Sequence, residues 1–201
     1  MARDNPTRGN GLLESVLARE RHRVANRLVP PSARRGRVLD IGCGAIPLFL
    51  LGSGFSERYG VDRCLPAGSV HDGPGTPRLI AFDVESGGEL PYREDYFDVV
   101  TMLAVFEHVE PILLPGLLRE IHRILKSGGL YILTTPSAWT EKLVRMMALL
   151  RLLSPVEVGE HKGAYTPRKI ANLVVEGNFP PGKYRHGYFE MGANIWFIAE
   201  K

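Results

Sequence analysis

The sequence predicts an α/β fold with a mainly parallel sheet that ends in an antiparallel hairpin. Short strand-like runs alternate with helical patterns along most of the chain, which is typical of strand–helix–strand units. The chain finishes instead with two aromatic-rich runs, residues 183–190 and 194–199, whose short connection suits an antiparallel pair. With 201 residues, 44% hydrophobic and 23% charged, the composition is that of one globular domain with a full core.

The first segment predicts a basic helical arm, residues 1–36, that packs on a domain at 37–201. Apolar residues recur every three or four positions from Leu12 to Leu28, and Pro30 would end that helix. Residues 1–37 hold nine arginines and three acidic residues, a charge of +6, so the remainder sums to −3 (+3 minus +6). We expect these arginines to meet an anionic acceptor, a membrane surface or the domain itself.

Five strands are predicted before the hairpin, at 37–41, 58–61, 78–82, 97–103 and 130–135. A helix is predicted over 112–125, with the glycines at 128 and 129 as a stop. Another helix should begin at Thr166-Pro167, a capping hydroxyl followed by proline at the first helical position, and end near Gly177.

Residues 139–153 predict a helix that is apolar over most of its circumference. Arg145 and Arg151 interrupt it, and the run is too short to cross a bilayer. We expect a lid over an acceptor pocket, within an insertion at 137–166; contact with a membrane is the alternative. Two cysteines make no disulfide framework, and the N-terminus does not resemble a signal peptide, so we expect a cytoplasmic protein.

The turn after the first strand, VLDIGCG at 38–44, is the most informative motif. Gly42 and Gly44 lack the Cβ that would keep a ligand from the backbone, and Asp40 beside them favours a cationic or hydroxyl-bearing ligand. A dinucleotide fingerprint would need a glycine three positions after Gly44, where Pro47 stands. The motif therefore does not predict a pyrophosphate site.

Polar side chains also follow the next three strands. Asp62 and Asp83 end the second and third strands, and Glu107-His108 comes just after the fourth. Since the carboxyl ends of parallel strands share one edge of a sheet, we expect these residues to converge on one crevice. In the alternative, Asp62 and Asp83 are merely solvated carboxylates and His108 caps the next helix.

These segments resemble those of class I S-adenosylmethionine-dependent methyltransferases of the compact small-molecule type. The matching motifs are VLDIGCG (38–44), GVD (60–62), FDV (82–84), YFDVV (96–100), VFEH (105–108) and RILKSGGL (123–130). The resemblance implies a Rossmann-like, doubly wound, seven-stranded sheet and S-adenosyl-L-methionine as cofactor. The chain departs from the family at Ile46, where glycine is usual, and at 64–77, where helix breakers replace a helix.

The resemblance implies that the glycine turn passes under the methionine moiety of the cofactor. Gly42, Cys43 and Gly44 would form the contact, and Asp40 would orient the turn. We expect Cys43 to be a small packing residue and not a nucleophile, because a methyl group carried on sulfonium needs no covalent enzyme intermediate.

The resemblance assigns the rest of the cofactor to the next three strand ends. Asp62 would bind the ribose hydroxyls, Asp83 would accept from the adenine amino group, and Val84 would supply backbone contacts. The backbone at Leu103 and Ala104 would flank the methionine end.

The candidate catalytic residues are His108, His161 and Tyr165. Methyl transfer is an in-line displacement accelerated by positioning, so a general base matters chiefly for a hydroxyl or acidic-carbon acceptor. His161 and Tyr165 precede the capped helix, in a loop that approaches the acceptor pocket in the family; a turn held by a histidine hydrogen bond is the alternative. No histidine or cysteine pair has metal-ligand spacing, so no metal is expected.

The sequence thus predicts methyl transfer from S-adenosyl-L-methionine to a small-molecule or lipid-linked acceptor. An RNA methyltransferase that uses the basic arm is one alternative, although the aromatic-proline motif typical of base-amino methylation is missing after the fourth strand. A non-catalytic cofactor-binding protein is the other, suggested by Ile46 and by residues 64–77. Peripheral membrane contact stays open, and the oligomeric state is not predicted.

Overall fold

A seven-stranded sheet forms the centre of the computed structural model, which describes residues 14–66, 75–140 and 162–201. The strands are β1 (Arg37–Ile41), β2 (Glu57–Asp62), β3 (Arg78–Ala81), β4 (Phe97–Leu103), β5 (Leu125–Pro136), β6 (Tyr184–Phe189) and β7 (Asn194–Glu200). Their spatial order is β3-β2-β1-β4-β5-β7-β6, and β7 is antiparallel to both neighbours. The predicted seven-stranded α/β sheet with an antiparallel C-terminal hairpin is confirmed.

Helices cover both faces of this sheet. In the described ranges they are α1 (Glu14–Leu28), α2 (Leu48–Gly52), α3 (Leu114–Ile124) and α4 (Pro167–Glu176). On one face, Ala25 and Val29 lie in a buried cluster with Val99 of β4. On the other face, Leu118 of α3 and Val174 of α4 pack into a second cluster. The sheet therefore lies between two apolar layers, as in other doubly wound folds.

The helices on the second face begin and end as their sequences indicate. The apolar positions of α3 that recur every three or four residues are buried, which gives the helix one core-facing side. At the start of α4, the Thr166 hydroxyl accepts a 3.3 Å hydrogen bond from the Lys169 N–H. Pro167 follows at the first helical position, and the Gly177 N–H closes the other end on the Leu173 carbonyl at 2.9 Å.

The region around residues 125–130 differs from the prediction. Helix α3 ends at Ile124 and β5 begins at once, so the predicted glycine stop lies inside the strand, with Gly128 at a φ of +73°. The β4–β5 pairing jumps from Phe97↔Leu125 to Val99↔Leu130, which leaves extra residues of β5 bulged out of the ladder. The glycines accommodate this bulge and do not terminate the helix.

Several predicted features lie outside the described residues: His161, most of the predicted lid helix and part of the loop at 65–77. The two ends of the predicted insertion at 137–166 are described, and they meet. Ser137 and Tyr165 form a parallel bridge, and the Ala138 N–H donates to the Tyr165 carbonyl at 3.0 Å. In the described part of the chain, no helix has both the length and the apolar character needed to span a bilayer.

Candidate functional site

The carboxyl ends of strands β1 to β4 bring the predicted residues to one edge of the sheet. Ile41, the last residue of β1, pairs with Val61 on one side and with Met102 on the other. The turns that follow these three strands therefore start side by side. The glycine turn, Asp62 and the segment from Leu103 onward are brought together, as the crevice hypothesis requires.

The two glycines of the turn have different surroundings. Gly42 has a φ of +75°, and a Cβ there would lie 2.3 Å from Cγ2 of Val105, so a side chain cannot be accommodated. Gly44 has a φ of +70°, yet a Cβ there would find no atom within 4 Å. Gly42 thus packs the turn against the loop after β4, whereas Gly44 exposes bare backbone to open space.

Asp62 holds this turn in place. Its Oδ2 accepts a 2.8 Å hydrogen bond from the Gly44 N–H, and its Oδ1 accepts one of 2.8 Å from the Cys64 N–H. The side chain is nearly buried at the end of β2. Each carboxylate oxygen can accept more than one hydrogen bond, so Asp62 can shape the turn and still bind a hydroxyl.

Asp40 is a second buried carboxylate, one strand away. Its Oδ1 accepts a 2.6 Å hydrogen bond from the Thr101 hydroxyl on β4. Burial raises the pKa of Asp40 to about 7; the Thr101 hydrogen bond opposes this rise and the negative charge of Asp62 adds to it. Sequence reasoning missed Thr101, whose only signal is a hydroxyl within the apolar strand β4.

Cys43 packs over Gly60 of β2. A Cβ on Gly60 would lie 2.7 Å from Sγ of Cys43, so the absence of a side chain on β2 makes room for the thiol. Burial, reinforced by the charges of Asp40 and Asp62, raises the pKa of this thiol well above its usual range. The thiol therefore stays protonated and is not an activated nucleophile.

Asp83 and Val84 lie at the end of β3, further out along the edge. The Asp83 Oδ1 accepts a 2.9 Å hydrogen bond from the Glu85 N–H and caps the short 3-10 turn Val84–Ser86. Asp83 itself is exposed and Val84 is half-buried. Capping of this turn accounts for an aspartate at position 83. The contact of Asp83 with adenine stays a prediction.

The chain turns sharply as it leaves β4. Ala104 has a φ of +56°, a left-handed conformation that is unfavourable for any residue with a side chain. Its N–H donates to the Thr134 carbonyl at 2.9 Å, which ties the turn to β5. The 3-10 turn Phe106–His108 follows, and the His108 N–H donates to the Val105 carbonyl at 2.9 Å. Residues in such unfavourable backbone conformations cluster at binding and active sites.

Tyr165 lies in the core on the side of α3 and α4, close enough to Glu107 for the charge of that carboxylate to act on its hydroxyl. Tyr165 is completely buried, and its ring packs edge-on against Phe106 with centroids 4.7 Å apart. Burial, together with the charges of Glu107 and Glu110, raises the pKa of Tyr165 to about 12. The sequence analysis named Glu107 only as a residue that follows the fourth strand, and it did not predict that Glu107 is buried. The apolar neighbours Phe106 and Val109 were the available signal for this burial.

The edge carries several carboxylates, but it does not assemble a metal site from the residues described. No group of three histidine, cysteine or acidic side chains among them is placed to hold an ion. The buried carboxylates, the bare glycine turn and the left-handed Ala104 instead suit an organic ligand with hydroxyl and cationic groups.

Comparisons with solved structures show the same fold. A SAM-dependent methyltransferase from Archaeoglobus fulgidus has a TM-score of 0.65 at 17% identity, covering 94% of this chain and 100% of that one. A possible histamine N-methyltransferase from Thermotoga maritima has a TM-score of 0.64 at 18% identity, covering 90% and 87%. A third structure, PigF with SAH, has a TM-score of 0.64 at 19% identity, covering 93% and 56%.

No curated protein matches the sequence. A family model described as a methyltransferase domain matches residues 12–180, which is most of the chain. The match agrees with the motifs at the carboxyl edge and with the observed order of strands. The chain belongs to this methyltransferase-domain family, and the resemblance to class I S-adenosylmethionine-dependent methyltransferases is confirmed.

Proposed function

We propose that this protein transfers the methyl group of S-adenosylmethionine to a small-molecule or lipid-linked acceptor. The observation that carries the proposal is the hydrogen bond from Gly44 to Asp62, which places a bare backbone turn beside a buried carboxylate. When bound, the cofactor would supply a methyl group carried on a cationic sulfonium. After the transfer, its sulfur would be left as a neutral thioether.

The residues at the sheet edge fit that cofactor. The space beside Gly44 admits a ligand that a side chain would block, and Asp62 retains lone pairs for two vicinal hydroxyls. Asp40 adds a carboxyl group whose ionised form a nearby cation would favour. We assign the methionine end to the turn Gly42–Gly44 and the backbone at Leu103 and Ala104, and the adenine to Asp83 and Val84.

Two described residues are assigned to the acceptor side. His108 ends the 3-10 turn that follows β4, where an imidazole can take a proton from a hydroxyl acceptor. Tyr165 closes the same side, and its raised pKa keeps the hydroxyl protonated, so it orients an acceptor by hydrogen bonding and does not act as a base at neutral pH. His161 keeps its predicted role as a further acceptor-side residue.

One observation favours RNA as a second candidate acceptor. Arg19, Arg23 and Arg27 are all exposed and follow each other at four-residue intervals on α1. They form a basic stripe on the side away from Ala25, which packs on the sheet. Such a stripe can contact phosphates without reading sequence.

A labelling experiment separates these acceptors. The protein is incubated with methyl-labelled S-adenosylmethionine and, separately, with a small-molecule extract, a lipid extract and total RNA. We expect label in the small-molecule or lipid fraction, lost with Asp62→Ala and kept with Glu176→Ala, an exposed carboxylate at the far end of α4. Label in RNA alone, lost when the three stripe arginines become glutamine, would establish the second candidate instead.

A further inference from the structure

We propose that Glu107 and Tyr165 form an acceptor-recognition site and that the acceptor they bind is an amine. This inference rests on the proposed function, because it names the acceptor class for the same edge of the sheet. It starts from two buried polar atoms, Oε2 of Glu107 and the hydroxyl of Tyr165, which have no hydrogen-bond partner among the described residues.

Both residues lie one loop away from the glycine turn. Val105 packs directly against Gly42, and Glu107 follows two residues later. The Glu107 carbonyl accepts a 2.8 Å hydrogen bond from the Lys162 N–H, which brings the segment containing Tyr165 onto the 3-10 turn. Phe106 then contacts the Tyr165 ring. The two residues are therefore held together by backbone and ring contacts, on a loop that Val105 anchors against Gly42.

Neither group is explained by the folded chain alone. Glu107 is only 3% exposed and Tyr165 is 0% exposed. Buried polar side chains in native proteins almost always have a partner, and an unpaired buried carboxylate is strongly unfavourable. Polar groups left unsatisfied in a folded chain are expected where a ligand supplies the partner.

A third unpaired polar group lies in the same apolar cluster. Thr135 of β5 is fully buried, and its Oγ1 likewise has no partner within the described ranges. Side chains two residues apart on a strand point to the same face, so Thr135 shares the face of Leu133. Leu133 packs in the same cluster as Phe106 and Tyr165. This part of the core therefore contains three polar groups that the described residues leave without a hydrogen-bond partner.

The charge balance selects an amine as the ligand. A carboxylate can only accept hydrogen bonds, so the group it meets must be a donor. The cations of the same segment are already engaged: Lys162 pairs with Glu85 at 3.0 Å and with Glu110 at 3.2 Å. The Lys169 ammonium lies over the Tyr165 ring, 4.7 Å from its centroid, and donates to the Ala164 carbonyl at 3.3 Å. A protonated amine supplies both the donor and the missing positive charge when it binds. Before its nitrogen can attack the methyl group it must lose one proton, which the Glu107 carboxylate that binds it can accept. An anionic acceptor would be repelled.

Stability without any ligand gives the first test. Glu107→Gln removes the buried charge and keeps the shape, so we expect an unchanged or higher melting temperature. The control is Glu110→Gln, a change at an exposed glutamate three residues away. A melting temperature for Glu107→Gln lowered as much as that of Asp62→Ala would show that the carboxylate has a structural partner and would overturn the proposal.

Binding gives the second test. Benzylamine and hexylamine are titrated beside their isosteres benzyl alcohol and hexanol, with and without saturating S-adenosylhomocysteine. We expect wild type to bind the amines about tenfold tighter than the alcohols, Glu107→Gln to lose this preference, and Tyr165→Phe to weaken amine binding several-fold. Glu110→Gln should keep the preference. Equal affinity for both classes, or a preference that survives in Glu107→Gln, would overturn the proposal.

The design separates this inference from the proposed function. S-adenosylhomocysteine should bind wild type and Glu107→Gln equally well, because Glu107 has no part in the cofactor assignment. If it binds both but the amine preference is missing, the acceptor inference alone fails. If it does not bind wild type, the proposed function fails, and the titrations without it still decide whether Glu107 selects amines.

Discussion

The backbone N–H of Gly44 donates a 2.8 Å hydrogen bond to Oδ2 of Asp62, 18 positions further along the chain. This bond joins the turn after β1 to the end of β2, so one carboxylate both shapes the glycine turn and lies beside its open side. Shape and binding are therefore coupled at this edge, and substitutions there should separate into those that damage the fold and those that damage binding.

Gly42→Ala should damage the fold. The new Cβ would lie 2.3 Å from Cγ2 of Val105, and the φ of +75° is unfavourable for alanine. Together, overpacking and the left-handed conformation should lower the free energy of unfolding by about 3 kcal/mol, measured by urea denaturation. Adding Val105→Ala should recover about half of this loss by removing the clash. A double variant no more stable than Gly42→Ala would rule out the steric explanation.

Gly44→Ala should instead damage binding. A Cβ at this position meets no atom within 4 Å, so only the left-handed conformation counts against it, at about 1 kcal/mol. The methyl group would, however, occupy the space assigned to the cofactor. We expect calorimetric titration to show affinity for S-adenosylhomocysteine at least tenfold weaker in a protein that remains folded. Unchanged affinity would show that the cofactor does not bind on this side of the turn.

Because of Asp40, we expect the free energy of unfolding to fall as the pH rises toward neutrality. Its pKa is raised to about 7 in the folded chain, mainly by burial, whereas an unfolded aspartate titrates near 4. Between these values the folded state keeps a proton that the unfolded state has lost. This contribution to the free energy of unfolding is therefore complete below about pH 4 and declines as the pH rises through 7.

Asp40→Asn is the variant that isolates this effect, because the amide oxygen can still accept the Thr101 hydrogen bond. In urea unfolding between pH 5 and pH 8, wild type should lose stability relative to Asp40→Asn. Thr101→Val should extend the decline to higher pH, since it removes the hydrogen bond that lowers the pKa of Asp40. Parallel profiles for wild type and Asp40→Asn would show that the carboxyl group titrates normally.

The regular elements could be predicted from the sequence because their signals are local. The predicted strand at 58–61 corresponds to β2, Glu57–Asp62, and the predicted helix at 112–125 corresponds to α3, Leu114–Ile124. The spacing of buried apolar residues determines both. The bulge at the start of β5 was missed, since it depends on the register with β4 that no local pattern records.

The candidate site could be predicted only in part, for the same reason. Glycines and carboxylates at strand ends converge because parallel strands share an edge, and the sequence shows where strands end. The bonds that give these residues their properties connect distant segments, such as Thr101 to Asp40 and Lys162 to Glu107. The burial of Glu107 and the left-handed turn at Ala104 also follow from tertiary packing.

The cofactor assignment is tested most directly by whether S-adenosylmethionine or S-adenosylhomocysteine stabilises the protein through Asp62. Melting temperatures of wild type, Asp62→Ala and the control Glu176→Ala are measured across ligand concentrations up to millimolar. We expect a saturable rise for wild type and Glu176→Ala, and no rise for a folded Asp62→Ala variant. No rise for wild type at millimolar ligand, or an equal rise in Asp62→Ala, would contradict the cofactor assignment.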